Sequence, residues 1–163
     1  LGGIESEDGR PVGDGPLGDA MKALAAELGI ADRITWAGKI PREQVMQAFA
    51  QAHVHVVTSL AEGHPTIIWE AMSVGTPTIA FELCGMRDSL CGDCGVKIPV
   101  TDIDRMQAQL SAELSALIHD PARRLALAEG AAACGERAHW SHRRGFWNNL
   151  YDQAIEHWAR KRR

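Results

Sequence analysis

Short apolar segments with strand character alternate along this chain with amphipathic segments that have helical spacing. The predicted strands are residues 34–36, 54–57, 78–81 and 96–98. The predicted helices before and between them are residues 17–28, 42–51 and 66–74. Such alternation is typical of βαβ units, whose strands pair in parallel. The sequence therefore predicts an α/β fold, with a Rossmann-like parallel sheet flanked by helices.

The last third of the chain is predicted to be helical. An apolar stripe at helical spacing runs from Met106 to Ile118, and Pro121 suits the first position of the next helix. A final helix with a basic tail is predicted for residues 141–163, and its aromatic stripe is interpreted as core or as a docking surface for another domain. Residues 1–16 are rich in Gly, Pro and Asp and are predicted to form a loop.

Composition restricts the function classes. The chain has 163 residues, of which 45% are apolar and 23% charged, with a net charge of −4. This is the composition of one globular domain, and it lacks the dense basic surface needed to bind a nucleic-acid backbone. No apolar run approaches the roughly 20 residues needed to span a bilayer. Four cysteines are too few for a disulfide scaffold, so we expect a cytoplasmic protein.

The loop after the second predicted strand leads directly into a helix. Parallel sheets bind ligands at the carboxyl ends of their strands, so functional residues are expected there. Pro65 is predicted at the first helical position, which leaves the amides of Thr66, Ile67 and Ile68 free at the helix start. Free amides backed by the helix dipole form an anion site that suits a diphosphate.

Two carboxylates lie on either side of this anion site. Glu62 precedes it in the loop, and Glu70 follows about one and a half turns inside the helix. A carboxylate can accept hydrogen bonds from neighbouring hydroxyls, such as those of a sugar or a ribose diol. The segment therefore offers groups for a sugar, a diphosphate and a ribose, in the order found in a nucleoside diphosphate sugar. The alternative is two solvated carboxylates near a helix start.

Five segments together resemble the GT4 family of glycosyltransferases. Residues 62–72, Glu-Gly-His-Pro-Thr-Ile-Ile-Trp-Glu-Ala-Met, resemble its E-x7-E signature. The other similar segments are the Gly-Asp-Gly-Pro turn at 13–16, the strand and glycine at 34–40, Gly-Thr-Pro-Thr-Ile-Ala at 75–80 and Gly-Val-Lys-Ile-Pro-Val at 95–100. They occur in the family's order, and the resemblance extends from about residue 13 to residue 155.

This resemblance implies a GT-B fold, retention of the anomeric configuration, and no essential metal or other cofactor. It makes Glu62 and Glu70 the catalytic candidates, with Glu62 on the donor sugar and Glu70 on the ribose. It also implies that sugar and phosphates of a UDP-, GDP- or ADP-type donor meet the backbone of Gly63, His64, Pro65, Thr66 and Ile67. Gly38 and Ile40 are the other candidates for donor binding, with the Ile40 backbone meeting the base.

The resemblance further implies that residues 1–163 are a partial C-terminal, nucleotide-sugar-binding domain. In this family that domain opens with two strands and a basic pair that clamps the diphosphate, and residues 1–4 match only the end of the second strand. The family's N-terminal domain binds the acceptor. We therefore expect transfer of a hexose-type sugar to a glycan or lipid-linked acceptor. The basic tail at 160–163 is interpreted as solvated, or alternatively as a contact with anionic lipid at the membrane.

Two other functions fit the same segments, namely a sugar-nucleotide epimerase of the same fold and a non-catalytic module that binds a nucleotide or a partner. A dinucleotide-binding protein fits less well. Gly13, Gly15 and Gly18 match the dinucleotide fingerprint, but no strand is predicted before them and no acidic residue ends the next strand. We interpret this match as fortuitous.

The cysteines raise the question of a metal site. Cys91 and Cys94 have the separation of zinc ligands, and Cys84, His53 or His55 would have to complete the set. Small cysteines packed behind a sheet are far more common than such a site. We therefore expect no bound metal.

Overall fold

The computed structural model describes residues 15–161 of the protein. Within them one parallel sheet has the order β1-β2-β3, formed by β1 (His55–Val57), β2 (Thr78–Phe81) and β3 (Gly95–Ile98). In the register of the sheet, Val56 lies opposite Ile79, and Ile79 lies opposite Val96. The predicted α/β fold is confirmed, and three of the four predicted strands are found within one residue of their predicted bounds.

Helices flank this sheet. The first part of the described chain contains α1 (Gly18–Glu27), a 3-10 helix (Ala31–Arg33), α2 (Arg42–Gln51), α3 (Thr66–Ser73) and α4 (Cys84–Ser89). The last part contains α5 (Ile103–His119), α6 (Pro121–Ala138) and α7 (Trp140–Lys161). Helix α2 has its predicted bounds, and Pro121 opens α6 as predicted. Asp120 caps α6 by accepting a hydrogen bond of 2.9 Å from the Arg123 amide.

The central strand β2 is buried along its whole length and divides the core in two. Ala80 packs on one face of the sheet with α3, through Ile68. Ile79 packs on the other face with α5, through Leu117. Successive side chains of a strand point to opposite faces of the sheet, so the buried residues of β2 pack alternately against the helices on each face. Helix α3, which carries the predicted anion site, is therefore anchored to the centre of the sheet.

The structure corrects two predictions of secondary structure. Residues 34–36 do not form a strand, because Ile34 makes only an isolated bridge and Thr35 and Trp36 belong to no ladder that the structure describes. Helix α4 was not predicted. Its six residues are too few to show an apolar stripe at helical spacing.

The aromatic stripe of the last helix is not part of the core. Helix α7 has no buried residue within Trp140–Lys161, and Phe146, Tyr151 and Trp158 are each more than half exposed. The interpretation as core is wrong because most of the stripe is exposed to solvent, and its role as a docking surface stays a prediction. Predictions for residues 1–14 and 162–163 lie outside the described residues. Between residues 15 and 161, no helix is both long and apolar enough to cross a membrane.

Candidate functional site

The carboxyl ends of the three strands lie at one edge of the sheet, as parallel pairing requires. Residues 58–65 follow β1 at this edge, and Glu82 and Leu83 lead from β2 into α4. The Gly85 amide donates a hydrogen bond of 2.8 Å to the Glu62 carbonyl oxygen. The loop that carries Glu62 is thereby fixed against the start of α4, at the edge where parallel sheets bind ligands.

The contact at Gly85 leaves no room for a side chain. A Cβ atom there would lie on the Gly63 carbonyl oxygen and 2.9 Å from the Glu62 carbonyl oxygen. The preceding residue, Cys84, has a φ of +48°, in the left-handed region that non-glycine residues adopt infrequently. Sequence reasoning missed Gly85, although its place just after a strand at the binding edge was a usable signal.

The start of α3 differs from the prediction. Pro65 precedes the helix, with φ −74° and ψ 84°, and is not its first helical residue. The Ile68 amide donates to the Pro65 carbonyl oxygen at 3.1 Å, because the first turn closes through a short-range bond. No side chain of the described residues caps this helix, so the amides of Thr66 and Ile67 stay open. Two amides rather than the predicted three therefore face a ligand with the helix dipole behind them.

The segment before α3 combines an anchored residue with accessible neighbours. Glu62 is half-buried and Pro65 is buried. The remaining residues of the segment are exposed to solvent, namely Gly63, His64, Thr66 and Ile67. Buried Pro65 holds the backbone in place, while the residues on either side of it remain accessible to a ligand. The structure thus places the residues predicted to meet sugar and phosphates on one continuous accessible segment.

Glu70 is paired across two helices. Its carboxylate oxygen Oε1 accepts a hydrogen bond of 2.9 Å from Nε of Arg42, at the start of α2. The Glu70 side chain is 25% exposed and the Arg42 side chain 77% exposed. A carboxylate has lone pairs for more than one donor, so this ion pair leaves acceptor capacity on Glu70. Sequence reasoning missed Arg42, because a pair separated by 28 positions has no local signal.

The other two candidate residues lie just before α2. Gly38 has a φ of +60°, and open space surrounds the position of a Cβ atom there. Ile40 is half-buried and stands two residues before Arg42, so the ion pair of Arg42 with Glu70 joins its segment to α3. No hydrogen bond described within residues 15–161 joins Gly38 or Ile40 directly to Glu62.

The potential metal ligands that lie close together in the structure are not the set considered from the sequence. Within residues 15–161, Cys91, Cys94 and Cys134 bring their sulfur atoms within 4.8 Å of one another. Cys84 lies outside this group. His55 lies outside it as well, and its Nδ1 shares a hydrogen bond of 3.1 Å with the Thr78 hydroxyl. Neither Glu62 nor Glu70 belongs to the group.

Comparison with known proteins gives the family. Residues 11–133 match the family described as glycosyl transferases group 1, which is most of the chain. The chain belongs to the group 1 glycosyl transferases. The GT4-like resemblance of the E-x7-E segment and its companions is therefore confirmed at the level of the family.

Curated relatives of this glycosyl transferase domain carry the name D-inositol 3-phosphate glycosyltransferase. The protein of Thermobispora bispora is 32% identical over 91% of this chain and 34% of its own length. The protein of Acidothermus cellulolyticus is 29% identical over 75% of this chain and 26% of its own length. The chain thus spans about a third or less of these relatives.

Solved structures agree on the fold. Sucrose-phosphate synthase from Thermosynechococcus elongatus has a TM-score of 0.74 at 24% identity, over 90% of this chain and 38% of its own. HepE from Anabaena, solved in complex with UDP and glucose, has a TM-score of 0.72 at 23% identity, over 89% of this chain and 40% of its own. These proteins are GT-B glycosyltransferases, so the GT-B assignment of this glycosyl transferase domain is confirmed.

Proposed function

We propose that this domain binds a nucleoside diphosphate sugar and serves retaining transfer of a hexose-type sugar to a glycan or lipid-linked acceptor. The observation that carries the proposal is the pair of open amides at Thr66 and Ile67, flanked by Glu62 and Glu70 at the binding edge of the sheet. A diphosphate fits these amides because it places negative charge at the positive end of α3. The carboxylates on either side suit the hydroxyls of the sugar and of the ribose.

Each group has a distinct part in this proposal. The Thr66 and Ile67 amides hold the diphosphate and stabilise the charge that builds up on it as it leaves the sugar. Glu62 accepts hydrogen bonds from the sugar, and its position is set by the Gly85 contact. Glu70 accepts from the ribose, and Arg42 fixes the direction of its carboxylate. The chemistry is electrostatic and positional, and we assign no metal or cofactor to it.

The acceptor is proposed to bind outside residues 1–163, since the chain spans about a third or less of its curated relatives. HepE was solved with UDP and glucose, which supports a nucleotide sugar as the donor class. We place the reaction in the cytoplasm. Arg160 and Lys161 begin a basic tail that suits the surface of a membrane holding a lipid-linked acceptor.

The isolated chain is expected to bind a nucleoside diphosphate weakly and to transfer no sugar. Calorimetric titration with UDP, GDP and ADP, and then with the sugar conjugates of the best base, measures binding. Product analysis by chromatography separates the alternatives, because an epimerase converts one nucleotide sugar into another without an acceptor. No binding of any nucleoside diphosphate would contradict the proposal, and so would epimerisation or efficient transfer by the chain alone.

Gly85→Ala is expected to lower the affinity for the sugar conjugate about tenfold in a chain that still folds. The new methyl group would overlap the Gly63 carbonyl and push the Glu62 loop outward, at a strain of about 1–3 kcal/mol. Gly145→Ala is the matched control, because a Cβ atom at that position meets nothing within 4 Å. Equal affinities of the two variants in calorimetry would show that the Gly85 contact does not position the site.

A further inference from the structure

Three of the four cysteines meet at one place beside the core. The Cys91 sulfur lies 2.9 Å from the Cys94 sulfur and 3.0 Å from the Cys134 sulfur. Cys91 and Cys94 stand at the two ends of the turn before β3, and Cys134 lies on α6. The fourth, Cys84, is exposed and belongs to the start of α4. The chain thus contains a three-thiol cluster and a separate cysteine for comparison.

The fold builds this cluster through backbone packing. A Cβ atom at Gly130 of α6 would lie on the Asp93 carbonyl oxygen, so the turn between Cys91 and Cys94 rests directly on the helix. Cys134 stands four residues after Gly130, on the same face of α6. The close approach of Cys134 to the turn therefore follows from the packing of α6 on that turn.

The three thiols differ in acidity. Burial raises the pKa of the Cys91 thiol, but its hydrogen bonds with the Cys94 and Cys134 side chains and with the backbone at Asp93 and Cys94 outweigh burial, and the resulting pKa lies below the usual value. Burial raises the pKa of Cys94, and it also raises that of Cys134, where the neighbouring Cys91 adds to the effect. Cys91 is therefore the thiol of the cluster that ionises most readily. A thiolate beside protonated thiols is the arrangement that oxidants attack.

Small molecules can reach two of the three sulfur atoms. A cavity of about 400 Å³ is lined by Cys91 and Cys134, together with His64, Arg137 and Arg143. The guanidinium of Arg137 donates a hydrogen bond of 3.0 Å to the Cys134 sulfur. The two guanidinium groups, of Arg137 and Arg143, favour negative charge on sulfur. Cys94 is fully buried and does not line the cavity.

We propose that Cys91 and Cys134 form a peroxide-sensitive thiol pair that closes reversibly to a disulfide. The pair joins the turn before β3 to α6. Cys91 is the attacking sulfur, and Cys134 is the resolving one. This role needs no bound nucleotide sugar, although His64 of the candidate donor-binding segment also lines the cavity.

The chemistry takes two steps. The Cys91 thiolate attacks one oxygen of hydrogen peroxide, the O–O bond breaks and hydroxide leaves, which converts Cys91 to a sulfenic acid. The Cys134 sulfur then attacks the Cys91 sulfur, the S–O bond breaks, and the oxygen leaves as water with the Cys134 proton. Two thiols supply two electrons to one peroxide molecule. An external dithiol restores both side chains.

Cys134 is the better partner than Cys94. The Cys94 sulfur already accepts a hydrogen bond of 3.0 Å from the Cys91 amide, and its thiol donates to the Cys91 carbonyl at 3.3 Å. These bonds and its burial hold Cys94 in place. A structural zinc site takes four protein ligands, and within residues 15–161 this group holds three.

The test exposes the reduced 163-residue chain to hydrogen peroxide. Free thiols are expected to fall from four to two and to return with dithiothreitol, and peptide mapping without reductant should show a Cys91–Cys134 cross-link. Thermal unfolding should shift upward by about 5–10 °C, because the bridge closes a long loop in the unfolded chain. A bridge between Cys91 and Cys94 would close only a short loop and shift the midpoint little.

Variants separate the roles. Cys134→Ser should leave a sulfenic acid on Cys91 that dimedone traps, and Cys91→Ser should abolish the cross-link. Cys84→Ser is the matched control and should form the cross-link normally. The proposal is overturned if Cys91 reacts no faster than Cys84, if the cross-link joins Cys91 to Cys94, or if elemental analysis finds one equivalent of zinc in the chain as purified.

Discussion

Glu70→Ala is expected to weaken binding of a nucleoside diphosphate by about 30- to 1000-fold. The proposed contact is up to two ribose hydroxyls donating to one carboxylate, each bond worth roughly 1.5–3 kcal/mol. The side chain is 25% exposed, so solvent competition should hold the net loss near 2–4 kcal/mol. Titration calorimetry on the wild type and the variant measures it directly.

The ion pair with Arg42 supplies a matched control. Arg42→Ala breaks the same hydrogen bond as Glu70→Ala but keeps the carboxylate. A pair whose arginine is 77% exposed contributes little to stability, so Arg42→Ala should fold normally. It should lose the orientation of the carboxylate but not the carboxylate itself, so its loss of nucleotide affinity should be clearly smaller than that of Glu70→Ala. Glu70→Gln keeps one acceptor oxygen and should fall between the wild type and Glu70→Ala.

Glu62→Gln should behave in the opposite way to the Glu70 variants. It should leave binding of the bare nucleoside diphosphate intact and weaken only the complexes that contain the sugar. A general folding defect would harm both ligands alike, so this contrast is more informative than either value. Unchanged nucleotide affinity in a folded Glu70→Ala chain would remove the ribose role of Glu70.

Acidification from pH 7 to pH 4 is expected to cost the fold roughly 3 kcal/mol through His55 alone. Burial lowers the pKa of His55 from 6.5 to about 4. Its ring packs edge-on against Phe49, at 4.9 Å between ring centroids. Above pH 6.5 the ring is neutral in both states and has no effect on the pH dependence. Between pH 6.5 and pH 4 the histidine is protonated in the unfolded chain but not in the folded one. The free energy of unfolding therefore decreases as the pH is lowered through this range, and the decrease levels off below the folded pKa.

Denaturant unfolding at several pH values isolates this contribution when the wild type is compared with His55→Gln. The glutamine retains a group that can bond to the Thr78 hydroxyl but does not titrate. The variant should lose less stability than the wild type between pH 6.5 and pH 4. Parallel stability curves for the wild type and His55→Gln would refute the proposed titration of His55.

The sequence was informative where local pattern and burial agree. Helix α2 shows apolar residues at helical spacing and has its predicted bounds, and the apolar run from Ile79 to Phe81 in β2 matches its burial on both faces. The loop before α3 was placed correctly because strand, loop and helix follow one another directly in the chain. These features depend on neighbours in sequence, which is why periodicity and turn chemistry suffice to predict them.

The features that sequence reasoning missed depend on contacts between distant segments. Arg42 reaches Glu70 from another helix, and Gly85 touches the Glu62 loop from a helix too short to show a pattern. Cys134 joins Cys91 because α6 packs on the turn before β3. Pro65 was placed one position too far into the helix, since cap and first turn differ only in backbone angles.

The open amides at the start of α3 bear on how such a site can diversify during evolution. An amide N–H is present with every residue except proline, so mutations at Thr66 and Ile67 can exchange the side chains without removing the donors. The side chains at these positions are exposed and have few packing constraints. Substitutions at these two positions can therefore change which ligands the site selects. Binding of the anion is retained, because the backbone amides supply it.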